Sequence, residues 1–190
     1  MQIGTQKRRV VEMLETARTQ IEAMGKKHAA ALLQYHLENR CHLAPWSPIR
    51  DEQFYTLEYW EDFCHASEAL FESGKEIKFV AIDKETREVV GVCSYTAIAR
   101  GVFQACFLGY HMAQKYEGKG FMTEILEVTL RYMFDVVGLN RVMATYMPRN
   151  KASEKVLFKL GFEKEGYARK YLKIAGKWED HILTSRISDN

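Results

Sequence analysis

The chain has 190 residues, 47% hydrophobic and 27% charged, with only 3 Pro and 12 Gly. That length fits one domain, or one domain with an appended arm. It buries a sizeable core without disulfides or a structural metal, so disordered, collagenous and low-complexity classes are excluded. With 27 basic and 25 acidic residues the net charge is +2, and only a local patch could serve nucleic acid.

Residues 1–15 read as an N-terminal extension of helical character, and residues 16–190 as a single domain. Thr16 to Met24 reads as a short strand. Lys26 to Glu38 reads as a helix with Ala29, Leu32, Leu33 and His36 on one side. Ala44-Pro45-Trp46-Ser47-Pro48 is a stiff connection, because proline fixes its own φ and disfavours helix before it. A second helix is expected from Asp51 to Glu72, with Phe54, Leu57, Cys64 and Leu70 inward and Gly74 as its stop. Ile77 to Asp83, Val89 to Ala99 and Val102 to Met112 then read as three strands of an antiparallel meander.

A strongly amphipathic helix begins near Gly120 and ends at Gly138. Its apolar face holds Met122, Ile125, Leu126, Thr129, Met133 and Val136. Arg141 to Tyr146 is a strand. Asn150 opens a helix to Leu160 that Gly161 closes. Phe162 to Ile174 and Trp178 to Arg186 form a closing hairpin. The order β-α-α-β-β-β-α-β-α-β-β is a mixed α+β class with one strand–helix–strand crossover.

Two stretches carry chemistry. In Gly109-Tyr110-His111-Met112 through Lys115-Tyr116-Glu117-Gly118-Lys119-Gly120-Phe121-Met122, a strand enters a glycine-bearing loop that opens a helix. The first amides of that helix lack internal partners and favour an anion, and glycines let a phosphate approach closely. A tight turn with no ligand explains the same residues. The pattern is neither a Walker A loop, since Gly follows Gly118-Lys119, nor the dinucleotide fingerprint, since Thr123 holds the third glycine position.

The second stretch runs from Tyr146 to Phe162. Asn150 serves as an N-cap or as a ligand contact. Ser153 is a solvated first-turn residue or a hydroxyl donor. Lys115, Lys119, Arg149, Lys151 and Lys155 form a solvated face or the seat of a multiply phosphorylated ligand. His111 and His181 fit strand packing better than catalysis.

Cys41, Cys64, Cys93 and Cys106 form no CxxC pair or zinc spacing, so free, mostly buried thiols and no metal are expected. No apolar run approaches membrane-spanning length, and Val10-Val11-Glu12-Met13-Leu14-Glu15 is no signal-peptide core. A cytoplasmic protein is the expectation.

Together the loop, Asn150-x-x-Ser153 and Leu160-Gly161-Phe162 resemble the GNAT acyltransferase superfamily, over nearly the whole chain after residue 15. Further blocks resemble its bacterial ribosomal-protein N-terminal acetyltransferases of RimJ type, close to the RimL group. These include Pro45-Trp46-Ser47-Pro48-Ile49-Arg50-Asp51, Tyr146-Met147-Pro148-Arg149-Asn150-Lys151 and Trp178-Glu179-Asp180-His181. The resemblance implies the GNAT fold, a largely antiparallel twisted sheet with helices on both faces and a central βαβ crossover.

It also implies acetyl-CoA as cosubstrate, held by residues 109–112, the loop 115–122, Asn150 and Ser153. Tyr146 and Ser153 are the implied proton donors, and Trp46 and Tyr110 the implied acceptor-side residues. The implied acceptor is the N-terminus of a ribosomal protein. No direct nucleic-acid binding and no membrane partner are expected, and the chain is read as a monomer or homodimer. A small-amine acetyltransferase and a silent acyl-CoA-binding module are the competing functions. The sequence departs from the superfamily pattern with Lys115 in place of Gln or Arg. Tyr146 stands where RimL-type relatives carry a Cys.

Overall fold

The computed structural model describes residues 13–189. The helical reading of the extension falls on residues outside that range, apart from its last three, and of these Leu14 and Glu15 form a short strand rather than helix because they pair with Ile21 and Gln20. Among the described residues eight strands form one sheet: β1 (Leu14–Glu15), β2 (Thr19–Ala23), β3 (Ile77–Asp83), β4 (Val89–Ala99), β5 (Ala105–Met112), β6 (Arg141–Tyr146), β7 (Glu163–Ile174) and β8 (Lys177–Ile187). Their order is β1-β2-β3-β4-β5-β6-β8-β7, antiparallel throughout except for the parallel β5–β6 pair. The helices are α1 (Ala29–Glu38), α2 (Arg40–Leu43), α3 (Leu57–Glu72), α4 (Phe121–Arg131) and α5 (Lys151–Lys159).

Central strands β3 and β4 carry apolar side chains on both faces, because both faces are covered. Alternation assigns the faces. Cys93 and Tyr95 of β4 meet Thr129 of α4, and Tyr110, opposite Cys93, meets Ser153 of α5. His111, one residue on, meets Tyr35 of α1. Thus α1 and α3 pack on one face, and α4 and α5 on the other.

Three expectations need correction. The second helix does not run from Asp51. Residues 52–55 form a separate 3-10 turn, and Thr56 is extended and caps α3 by accepting from the Tyr59 amide. The buried stripe of α3 is therefore Trp60, Cys64 and Ser67, and Leu57 is exposed. After α4, residues 132–136 form a π turn, with the Val137 amide donating to the Tyr132 carbonyl. The extra residue rotates the last turn of the helix, so Val136 faces solvent at 67% exposure and Val137 enters the core. Finally, Val102 and Phe103 belong to an exposed turn, and β5 starts at Ala105.

Candidate active site

β5 and β6 pair in parallel only from Ala105↔Arg141 to Leu108↔Ala144. Beyond that point each strand keeps its outer neighbour, β4 or β8, and the two separate. The Ala113 amide bonds the Val90 carbonyl, which fixes the phase of the ladder: odd-numbered amides of β5 turn to β4. The amides of Tyr110 and Met112 consequently face the notch left by β6. Gly109, exposed and bonded on the β4 side, does not offer its amide there.

The notch opens into a cleft of about 720 Å³, which runs from His42, Leu43 and Trp46 past Tyr110, His111 and Met112 to Glu117, Gly118, Gly120, Phe121 and Met122. Its other wall is the start of α5, with Asn150, Lys151, Ser153 and Lys155. Volumes of this order suit small-molecule sites.

At its far end Gly118 (φ 71) and Gly120 (φ 83) adopt left-handed backbone. At both positions glycine is demanded by φ rather than by space, since an added Cβ on Gly120 meets only Arg18 Nη2 at 3.6 Å. Gly120 caps α4 without a side chain. The first helical bond runs from the Glu124 amide to the Gly120 carbonyl, which leaves the amides of Phe121, Met122 and Thr123 without an acceptor among the described residues.

Arg18 braces this corner. It donates to the Lys119 carbonyl at 3.0 Å and to Glu124 at 2.7 Å, and its guanidinium lies 3.7 Å from the Phe121 ring centre. Asn39 fixes the loop's other end, accepting from the Gln114 amide at 2.9 Å. Neither residue carries a local sequence signal, because both act across the fold.

Across the notch, the Tyr110 hydroxyl and Ser153 Oγ lie 2.7 Å apart. Burial pushes the Tyr110 phenol up to about 12. Asn150 Oδ1 accepts from the Ser153 amide at 3.0 Å, so Asn150 is an N-cap that also lines the cleft. Tyr146 is buried and outside the cleft lining. Its hydroxyl donates to Glu154 Oε1 at 3.1 Å, and burial, then Glu154, push it up to about 12.

The expected basic cluster is largely spent on partners. Lys115 pairs with Glu88 at 2.5 Å, Lys151 with Glu154 and Arg149 with Glu179. Lys155 lines the cleft with no carboxylate partner among the described residues, as does Lys159. Lys159 stands four residues on, and helical spacing alone would have found it. Lys115, Tyr116 and Lys119 lie outside the cleft lining. Tyr116 is buried, shares a hydrogen bond with Thr86 and packs edge-on to Phe121.

Trp46 lines the opposite end. The Arg149 guanidinium lies 4.9 Å from its ring and donates to the Pro45 carbonyl, while the Ala175 amide donates to the Ser47 carbonyl. The stiff connection is therefore pinned both to Arg149 ahead of α5 and to the tip of the β7–β8 hairpin. Behind His111, which lines the cleft, lies a buried ring cluster. Tyr35 bonds His111 Nδ1 at 2.8 Å, and His36 stacks on Trp60 at 4.5 Å. Burial lowers His111 to about 4 and His36 to about 3, so both are neutral at pH 7.

A splayed parallel pair leading to an uncapped helix start defines a class, and comparison gives the same one: the acetyltransferase (GNAT) domain family matches residues 18–163. The chain belongs to the GNAT acetyltransferases. It is 41% identical over 172 residues to the [ribosomal protein uS5]-alanine N-acetyltransferase of Escherichia coli, covering 90% of this chain and 89% of that one. The crystal structure of ribosomal-protein-S5-alanine acetyltransferase from Vibrio fischeri superposes with TM-score 0.91 at 41% identity, over 94% and 98% of the two chains. Mycobacterium smegmatis RimJ in complex with CoA-disulfide gives 0.85 at 29% identity, over 90% and 82%.

Proposed function

We propose that the chain transfers the acetyl group of acetyl-CoA to the N-terminal α-amine of a ribosomal protein. The observation that carries this reading is the notch beyond Leu108 and Ala144, continuous with the bare amides at the start of α4. The fold's relatives support it: M. smegmatis RimJ holds a CoA-disulfide, and the E. coli relative is an alanine N-acetyltransferase of a ribosomal protein.

The residues present fit a pyrophosphate ester. Three amides and the Lys155 and Lys159 side chains, without acceptor or carboxylate partners among the described residues, and two left-handed glycines meet its charge. Acetyl-CoA supplies an acyl group already activated as a thioester. The Tyr110 amide, turned into the notch, donates to the carbonyl oxygen and more strongly to the oxyanion that forms there. Asn150 and Met112 line the path of the pantetheine arm. The Ser153 and Tyr110 hydroxyls, already in contact, are the donors for the departing sulfur. Tyr146 is the second reading for that role, with its proton directed to Glu154.

Acidity selects the acceptor. An α-amine has pKa of about 7.7–8.0 and a Lys side chain about 10.4. About a tenth to a fifth of α-amines are thus neutral at pH 7, against about one in two thousand Lys side chains. An α-amine needs only a water path to lose its proton. Trp46, which lines the cleft with the Arg149 guanidinium against its ring, bounds the acceptor end.

The test is turnover with acetyl-CoA on peptides beginning Ala or Ser, on the same peptides with the α-amine blocked and an internal Lys left free, and on spermidine. Acetylation of the free-terminus peptides alone is expected. Turnover on spermidine alone would move the assignment to small amines, and coenzyme A binding with no turnover on any amine would make the chain a silent binder.

A further inference from the structure

We propose that the outer end of the β7–β8 hairpin binds single-stranded RNA. The ten residues from Arg169 to Trp178 contain Arg169, Lys170, Lys173 and Lys177 and no acid. All four cations are exposed, and none is ion-paired among the described residues. Many cations elsewhere hold a carboxylate, Arg18, Arg40, Lys84, Lys115, Arg141 and Arg149 among them. A net charge of +2 therefore conceals a local cluster of cations, bounded on β8 by Glu179, which Arg149 holds, and by Asp180, which accepts from the Lys170 amide. The proposal departs from the expectation of no direct nucleic-acid binding and takes up the local patch that the charge balance leaves open.

Apolar surface accompanies the charge. Trp178 is 60% exposed, and Tyr171 and Leu172 are half-exposed. Lys173 stands opposite Trp178 and Leu172 opposite Glu179, so Trp178 and Leu172 lie on opposite faces of the hairpin. A bilayer requires apolar groups gathered on one face. Cations on both faces of an edge hairpin, Lys173 on one and Lys177 on the other, with the indole beside Lys173, instead match a flexible polyanion, with phosphates on the lysines and a base on the indole. The choice of RNA as the polyanion rests on the acetyl-transfer reading, because a ribosomal-protein acceptor is delivered beside RNA. The same hairpin tip donates from Ala175 to Ser47 at the acceptor end of the cleft, so RNA bound here flanks the acceptor.

The experiment is fluorescence anisotropy of a labelled oligouridine with the full chain, from about 50 to about 200 mM salt. Binding that weakens steeply with salt is expected. The double substitution Lys173→Gln/Lys177→Gln weakens it about tenfold or more at low salt and flattens the log–log salt slope by about 1.4, the share of two phosphates. Trp178→Ala weakens it at least about fivefold with the slope unchanged. Coenzyme A binding is unaltered in both variants, which reports an intact fold. No binding at low salt, binding indifferent to these substitutions, or binding to phosphatidylglycerol vesicles without oligouridine would each overturn the proposal. A chain that acetylates peptides yet ignores oligouridine refutes this surface alone. One that binds oligouridine yet acetylates nothing refutes the transfer reading alone.

Discussion

Ser153 sits where three demands meet. Its amide is held by Asn150, its hydroxyl touches Tyr110, and it lines the cleft. Tyr146 has comparable acidity to Tyr110 but sits in the core against Glu154. The leaving thiol has an ordinary pKa near 8.5, so protonating it contributes modestly, at most the low end of the usual general-acid effect, about 10²-fold. Ser153→Ala is accordingly expected to lower kcat by about ten- to a hundredfold with KM for acetyl-CoA little changed, as steady-state kinetics will read. Tyr146→Phe should leave kcat within about threefold. The reverse ranking would transfer the donor role to Tyr146. At this scale the sequence is partly legible. Asn150 as a cap is written in Asn-x-x-Ser, but Arg18 and Asn39 act on partners 106 and 75 positions away, and no local pattern announces that. Lys115 is legible as a cation but not as the partner of Glu88, which the fold delivers from the β3–β4 turn.

Among the elements, α4 depends on the turn before it. Gly120 holds φ 83 and a would-be Cβ makes only an ordinary contact with Arg18 Nη2 at 3.6 Å, so Gly120→Ala costs backbone strain of about 1–2 kcal/mol and little from collision. Relaxing that strain moves the bare amides of residues 121–123. Calorimetry is expected to show coenzyme A bound about tenfold more weakly by this variant, with circular dichroism unchanged. Unaltered affinity would mean that the amides do not hold the ligand. The strand Arg141–Tyr146 and the helix after Asn150 follow from periodicity and capping, signals that lie within a few residues. The π turn at 132–136 and the break at Thr56 do not. Each shifts the helical phase where the sequence pattern continues smoothly, which is why periodicity alone places Val136 and Leu57 inward.

For the molecule as a whole, the sheet order follows from the meander and the single crossover, whereas the insertion of β8 between β6 and β7 is a long-range choice. The splay of β5 from β6 is equally silent in the sequence, because it depends on where pairing stops. Packing of α1 and α3 against the sheet buries His36 and His111 as neutral rings. In the unfolded chain they titrate near 6.5. Their folded values are depressed, so their contribution is fully present above about pH 6.5. It is lost as pH falls toward 4 and then 3, because the unfolded state binds the extra protons. The urea midpoint should therefore fall between about pH 6.5 and about pH 4, with a shallower slope in His36→Phe; a flat profile there would contradict neutral burial.

The most direct test compares intact masses of ribosomal proteins from cells with and without this chain, then maps any difference to a residue. One ribosomal protein is expected to lose a single acetyl group from its α-amine when the chain is absent and to regain it on incubation with the purified chain and acetyl-CoA. An acetyl group mapped to a lysine side chain, or identical masses in both samples and no transfer on incubation, would contradict the account.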